Sequence, residues 1–131
     1  MHETLLPDGW PRPSGYANGM AAHGRLIVVG GQVGWNAAQQ FESDDLVEQL
    51  RQALQNIVAV LEAGGALPEH LVQLTWYFTD IREYAARLAE VGAVYREVIG
   101  RHYPAMAALE VRGFVEPRAK VEIQALAVVP E

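Results

Sequence analysis

Glu122 is the residue of this chain that most needs a chemical reason. It stands between Val121 and Ile123 in a stretch that otherwise alternates as a buried strand, and a buried carboxylate is costly unless it is paired or neutralised. Such a group can orient water or take its proton. It can equally serve as a plain ion-pair partner for Arg112, Arg118 or Lys120. A second concentration of interest is Gly30-Gly31-Gln32-Val33-Gly34, with Tyr16 and Trp35 to either side. These glycines follow a strand, but no Lys-Ser/Thr pair closes the run and no helix follows it directly, so it is not a nucleotide fingerprint. His2, His23, His70 and His102 are scattered without helical i,i+4 spacing, and neither a metal site nor a cofactor is expected. Ser14 and Ser43 are the only serines and neither sits in a nucleophile elbow. The absence of cysteine removes disulfides, thiolate ligands and a thiol nucleophile together.

These residues must be positioned by elements legible in the hydrophobic pattern. Met20-Ala21-Ala22 and Leu26-Ile27-Val28-Val29 flank His23-Gly24 and read as a β-hairpin. Residues 34–41 are polar and read as a loop. Leu46, Leu50, Ala53, Leu54, Ile57, Val58 and Leu61 recur at helical spacing, with Ser43, Asp44 and Asp45 as cap candidates and Gly64-Gly65 as the stop. Val72, Leu74, Trp76 and Phe78 alternate as a strand. Asp80 and Glu83 form a capping arrangement before a second helix carrying Tyr84, Leu88, Val91, Tyr95 and Val98, which Gly100 ends. Ala105, Ala107 and Leu109, then Val121, Ile123, Ala125, Ala127 and Val129, supply two more strands.

The predicted order is ββαβαββ, one α+β domain over residues 1–131 with an irregular arm at residues 1–15. Two helices cover one sheet face. Leu126, Val128 and Met106 are assigned to the other, which an oligomer would cover. Trp10 in the arm reads as a clasp.

The chain has 131 residues, half of them apolar, with 10 Lys+Arg against 16 Asp+Glu and a net charge of −6. Nucleic-acid binding rests on clustered cations, so this balance argues against a nucleic-acid partner. The proline- and acid-containing start does not resemble a secretory leader, and no apolar run approaches the ~20 residues needed to cross a bilayer. A cytoplasmic protein without a membrane partner is expected.

Several stretches, taken in order, carry a resemblance. Gly15-Tyr16-Ala17 and Val29-Gly30-Gly31-Gln32 are followed by Gln52-Ala53-Leu54-Gln55-Asn56-Ile57 and Ala63-Gly64-Gly65-Ala66. Thr75 to Asp80, Tyr103-Pro104-Ala105 and Val121-Glu122-Ile123-Gln124-Ala125 come next. Together they resemble the RidA/YjgF family of reactive-intermediate deaminases, formerly called L-PSP endoribonucleases. The resemblance implies a chorismate-mutase-like α+β fold, a six-stranded mixed sheet packed on two helices. It also implies a homotrimer with a central barrel and a small-molecule ligand in each inter-subunit cleft. It assigns Glu122 to positioning water, and Tyr16 and Gly31 to the ligand.

Two positions depart from the family pattern. Gly30 stands where a serine is expected, and Met106 stands where an arginine pairs with the substrate carboxylate. A thioether cannot supply that charge-assisted bidentate bond. The chain is therefore expected to belong to an arginine-lacking branch whose pocket, among Tyr16, Trp35 and Met106, takes a less anionic or aromatic ligand. The expected activity is a metal-independent deaminase or related hydrolase acting on a small metabolite. The rival expectation is a ligand-binding protein without turnover on the same scaffold, with endoribonuclease a weaker third.

Overall fold

The computed structural model describes residues 2–131. Its framework is a four-stranded sheet of β3 (Arg25–Val33), β4 (Leu71–Phe78), β5 (Ala105–Glu110) and β6 (Val121–Val129), in the order β3-β6-β4-β5. β6 runs antiparallel to both neighbours and β5 runs parallel to β4, so the sheet is mixed. Leu74, Trp76 and Phe78 from β4 and Val121, Ile123, Ala125 and Ala127 from β6 point to one face and are buried. Helix α1 (Leu46–Ala63) lays Leu50, Ala53, Leu54, Ile57 and Leu61 against them. The period-2 and period-3.6 patterns of the sequence thus meet in one core.

The ends of α1 follow local chemistry. The Asp45 carboxylate accepts from the Glu48 amide at 3.2 Å, satisfying one of the free donors of the first turn. At the far end Gly65 adopts φ +75°, a conformation that favours glycine. Gln49, 1% exposed, is the buried polar group of α1. Its amide donates to the Ser43 and Arg118 carbonyls and accepts from the Lys120 amide, tying the helix to the entry of β6. Gly34 passes against this residue so closely that a Cβ would lie 2.6 Å from the Gln49 Cα.

Four expectations require correction. The first concerns the predicted hairpin. β2 (Gly19–Ala21) pairs with β1 (Glu3–Leu5), inside the arm read as irregular, and not with β3. Second, the six strands consequently divide into a four-stranded sheet and a separate two-stranded ribbon, instead of a single six-stranded sheet.

The third is the predicted second helix, which is two helices, α2 (Ile81–Ala86) and α3 (Leu88–Val98), making three in all. The break falls at Arg87, with φ −123° and ψ 28°, where the guanidinium reaches Asp45 at 2.7 Å and Glu90 at 2.6 Å. Fourth, Met106 pairs in register with Leu74 and so shares the helix-covered face, not the open one. No helix among the described residues is long and apolar enough to cross a membrane.

Candidate functional site

The sequence-selected residues fall into two groups on opposite faces of the sheet. Glu122 pairs in register with Tyr77 of β4 and Val33 of β3, one residue out of phase with the buried Val121 and Ile123. Its side chain therefore leaves the sheet on the face away from the helices. The β3 ladder is interrupted between Val29 and Gln32, and Gly30 and Gly31 form the irregularity. Bulges of this kind re-aim a strand locally. At Gly31 the strand passes directly beneath the carboxylate: a Cβ there would lie 2.8 Å from the Glu122 carboxyl carbon. Glycine is the residue that leaves this space open.

Among the described residues Glu122 makes no ion pair and no hydrogen bond. The reading of Glu122 as a structural ion-pair partner therefore fails for Arg118, whose guanidinium is held by Asp44 at 2.9 Å. The half-buried carboxylate keeps its acceptor lone pairs free.

Trp35 follows the end of β3 in the chain. Its ring packs on Phe41 with centroids 5.9 Å apart, and Arg118 covers the other part of Phe41 at 5.4 Å. Asn56 of α1 fixes this loop by donating to the Val33 and Trp35 carbonyls at 3.1 and 2.8 Å. Gln52, one turn earlier, donates to the Asn56 carbonyl oxygen at 2.9 Å and fixes the amide's orientation.

The second group lies at the free edge of β5. The Ala17 amide donates to the Pro104 carbonyl at 3.0 Å, and Ala17 bridges Ala105 in parallel fashion. This stitches the arm to β5 and sets Tyr16, 44% exposed, at its start. Behind it a cavity of about 600 Å³ opens between the arm, β4, β5 and α3. Met106 and Trp76 form its floor, with Tyr84, Tyr95, Tyr103 and Leu88 among its walls. Tyr95 stacks on Tyr103 at 5.4 Å and tilts against Trp76 at 6.0 Å, while its hydroxyl donates to the His102 carbonyl. Burial pushes the Tyr84 and Tyr95 phenols above their ordinary range, with Tyr103 adding to the effect on Tyr95. Both are therefore neutral walls at physiological pH.

The structure thus brings Gly31 and Glu122 together, while Tyr16 lines a cavity that adjoins the Met106 cavity, and the two groups are not joined within one chain. Trp35 packs against Phe41 in the loop held by Asn56, apart from Glu122, and is not part of the Met106 cavity. Sequence reasoning missed Arg96, which lines that cavity from α3. The available signal was Gly92, four residues earlier on the same helical face. No group of three or more His, Cys, Asp or Glu side chains converges among the described residues.

A family model described as Endoribonuclease L-PSP matches residues 11–129. The chain is 30% identical over 132 residues to an Escherichia coli protein named 2-iminobutanoate/2-iminopropanoate deaminase, covering 98% of both chains. It is 29% identical over 128 residues to a RutC family protein of Pyrococcus horikoshii, covering 97% of this chain and 98% of that one. Among solved structures it is similar to the Rid-family protein YyfB of Yersinia pestis, with TM-score 0.85, 28% identity and 98% of each chain covered. The mixed sheet, its helical cover and these matches define one class, and this chain belongs to the RidA/YjgF family, whose model carries the endoribonuclease L-PSP name.

Proposed function

We propose that this protein is a deaminase-type hydrolase that adds water to the C=N bond of a small imine. The observation that carries the reading is the Glu122 carboxylate, half-buried over Gly31 with no partner of its own. In this reading Glu122 accepts a hydrogen bond from water and takes its proton as the oxygen bonds to the imine carbon. Return of that proton to nitrogen gives the carbinolamine, which collapses as its hydroxyl proton moves to nitrogen and the C–N bond breaks, so that imine and water yield a carbonyl compound and ammonia. Every atom is accounted for by the two reactants, and no cofactor is required.

The proposal includes a homotrimer. Leu26 and Val28 lie on the face away from the helices, 58% and 66% exposed, and pair in register with Val128 and Leu126. A continuous apolar sheet face of this kind favours burial against further copies. Association also supplies what a single chain lacks: it would set the Glu122 group of one subunit opposite the β5 edge and arm of the next. The ligand would then occupy the cleft between them. A cytoplasmic location remains part of this proposal.

Met106 shapes the substrate side. It presents a thioether where deaminating members carry an arginine, so a short aliphatic imino acid finds no cation on β5. Poor use of 2-iminobutanoate follows. The same substitution supports a second reading, a binding protein without turnover. The net charge of −6 gives a ribonuclease no support.

The test is ammonia release from imines generated in place by an amino-acid oxidase. Glu122→Gln should lose about two to four orders of magnitude in rate if Glu122 handles the water proton. An equal rate in the variant would refute the hydrolase reading.

A further inference from the structure

The cations of this acidic chain are not evenly engaged. Arg51, Arg87 and Arg118 are each held by carboxylates. Arg96 makes no ion pair and no hydrogen bond among the described residues, yet it lines the cavity floored by Met106 and Trp76. An adjoining cavity of about 590 Å³ shares Pro13, Gly15 and Tyr103 with the first and is lined by Arg12 and Arg101, which are likewise without acid partners. No Asp or Glu among the described residues lines either cavity. In a chain of net charge −6 this is a local reversal of sign.

The placement of Arg96 has a simple helical cause. Side chains on a helix lean toward its N-terminus, so residue 96 lies back over residue 92. Residue 92 is glycine, and a Cβ there would lie 3.3 Å from Arg96 Nη1. The missing side chain lets the guanidinium rest along α3 at the cavity margin. The ring cluster of Trp76, Tyr95 and Tyr103 forms the wall beside it.

We propose that this cavity binds a carboxylate with an aromatic body, and that Arg96 is its counter-ion. The ring lies against Trp76 and Met106, and the carboxylate reaches the guanidinium on α3. Arg96 thus replaces, from the helix, the cation that position 106 does not provide on the strand. The proposal deepens the deaminase reading by naming its substrate class, and it rests on that reading only for the claim that the bound molecule is turned over. A cavity of this volume is within the range that holds small aromatic acids.

Calorimetric titration of the whole protein with 3-phenylpropionate and with its uncharged amide tests the assignment. The wild type should bind the acid about tenfold or more tightly than the amide, as expected for a charge-assisted pair. Arg96→Gln should bring the two affinities within about twofold while leaving the amide unchanged, and Arg96→Lys should restore part of the preference. Gly92→Val, which crowds the guanidinium without removing it, should weaken the acid alone. Wild-type binding of the acid without turnover of the corresponding imino acid counts against the hydrolase reading and not against this site. Retention of the preference in Arg96→Gln overturns the proposal. So does its loss in Arg12→Gln or Arg101→Gln alone, or the absence of binding at millimolar acid.

Discussion

The carboxyl group of Glu122 occupies the space that a side chain at Gly31 would need. A Cβ at position 31 would sit 2.8 Å from the Glu122 carboxyl carbon, on neighbouring strands joined across the β3 irregularity. The obstructing group is the end of a flexible side chain, so Gly31→Ala should fold. It should do so only by turning the carboxylate aside. The expected result is a melting temperature within a few degrees of wild type and a deaminase rate lowered tenfold or more, about 1.4 kcal/mol of transition-state stabilisation. Unchanged kinetics in a folded Gly31→Ala would separate Glu122 from the chemistry.

Asp45 joins α1 to the break between α2 and α3, capping one helix while receiving Arg87 from the other. The hydrogen bond from Arg87 lowers the Asp45 pKa below its ordinary value of 3.8. A depressed native value means that the stabilisation is complete above 3.8 and is lost as pH falls through the lower native value. Asp45→Asn keeps a capping oxygen but not the ion pair. It should cost about 1 kcal/mol or less at neutral pH, because the pair is partly solvated, and the difference from wild type should vanish in acid. Thermal melts of both proteins across the acid range provide the check.

The same pair shows why the helix break was illegible. Tyr84, Leu88, Val91, Tyr95 and Val98 keep helical spacing across Arg87, so periodicity predicts one helix, while the partner of Arg87 lies 42 residues away. α1, β4 and β6 were legible because strong apolar periodicity and local caps agree with their tertiary positions. β1 was not, since Glu3, Thr4 and Leu5 are all exposed and carry no alternation. The face of Met106 was ambiguous because alanines at 105, 107 and 108 leave the strand without a large apolar alternation; only its register with Leu74 decides it. Gly31 and Glu122 were legible as a pair of motifs. Arg96 was marked only by Gly92 one turn earlier, because an exposed arginine on a helix does not by itself reveal the cavity beneath it.

The open sheet face carries a prediction about assembly. Light scattering should give a mass near three times 14.4 kDa. Val28→Glu, at a side chain 66% exposed in the single chain, should lower that mass while leaving the far-ultraviolet circular dichroism intact. A charge introduced into a desolvated interface is strongly unfavourable, whereas on a free surface it is nearly neutral. A wild-type monomer at micromolar concentration with the fold intact would remove the proposed cleft.

Met106→Arg restores a cation to β5, on the face shared with Leu74 and at the cavity floor. A charge-assisted hydrogen bond to a carboxylate contributes about 1.5–3 kcal/mol, so turnover of 2-iminobutanoate should rise by roughly one to two decades over wild type. Semicarbazone capture of the imine measures it. Wild-type turnover already within a few-fold of the Escherichia coli relative would show that position 106 does not set this preference.

In the proposed trimer, Glu122 of one subunit serves a ligand held by the β5 edge and arm of another. Subunit mixing tests it most directly. Glu122→Gln disables the first group, and Met106→Glu, which repels a carboxylate, disables the second. Each homotrimer should be inactive. Equal amounts, unfolded together and reassembled, should place an intact Glu122 group opposite an intact Met106 group at about a quarter of the clefts, with a corresponding return of imine hydrolysis. A mixed preparation that assembles to the wild-type mass yet remains as inactive as its parents would contradict the shared site.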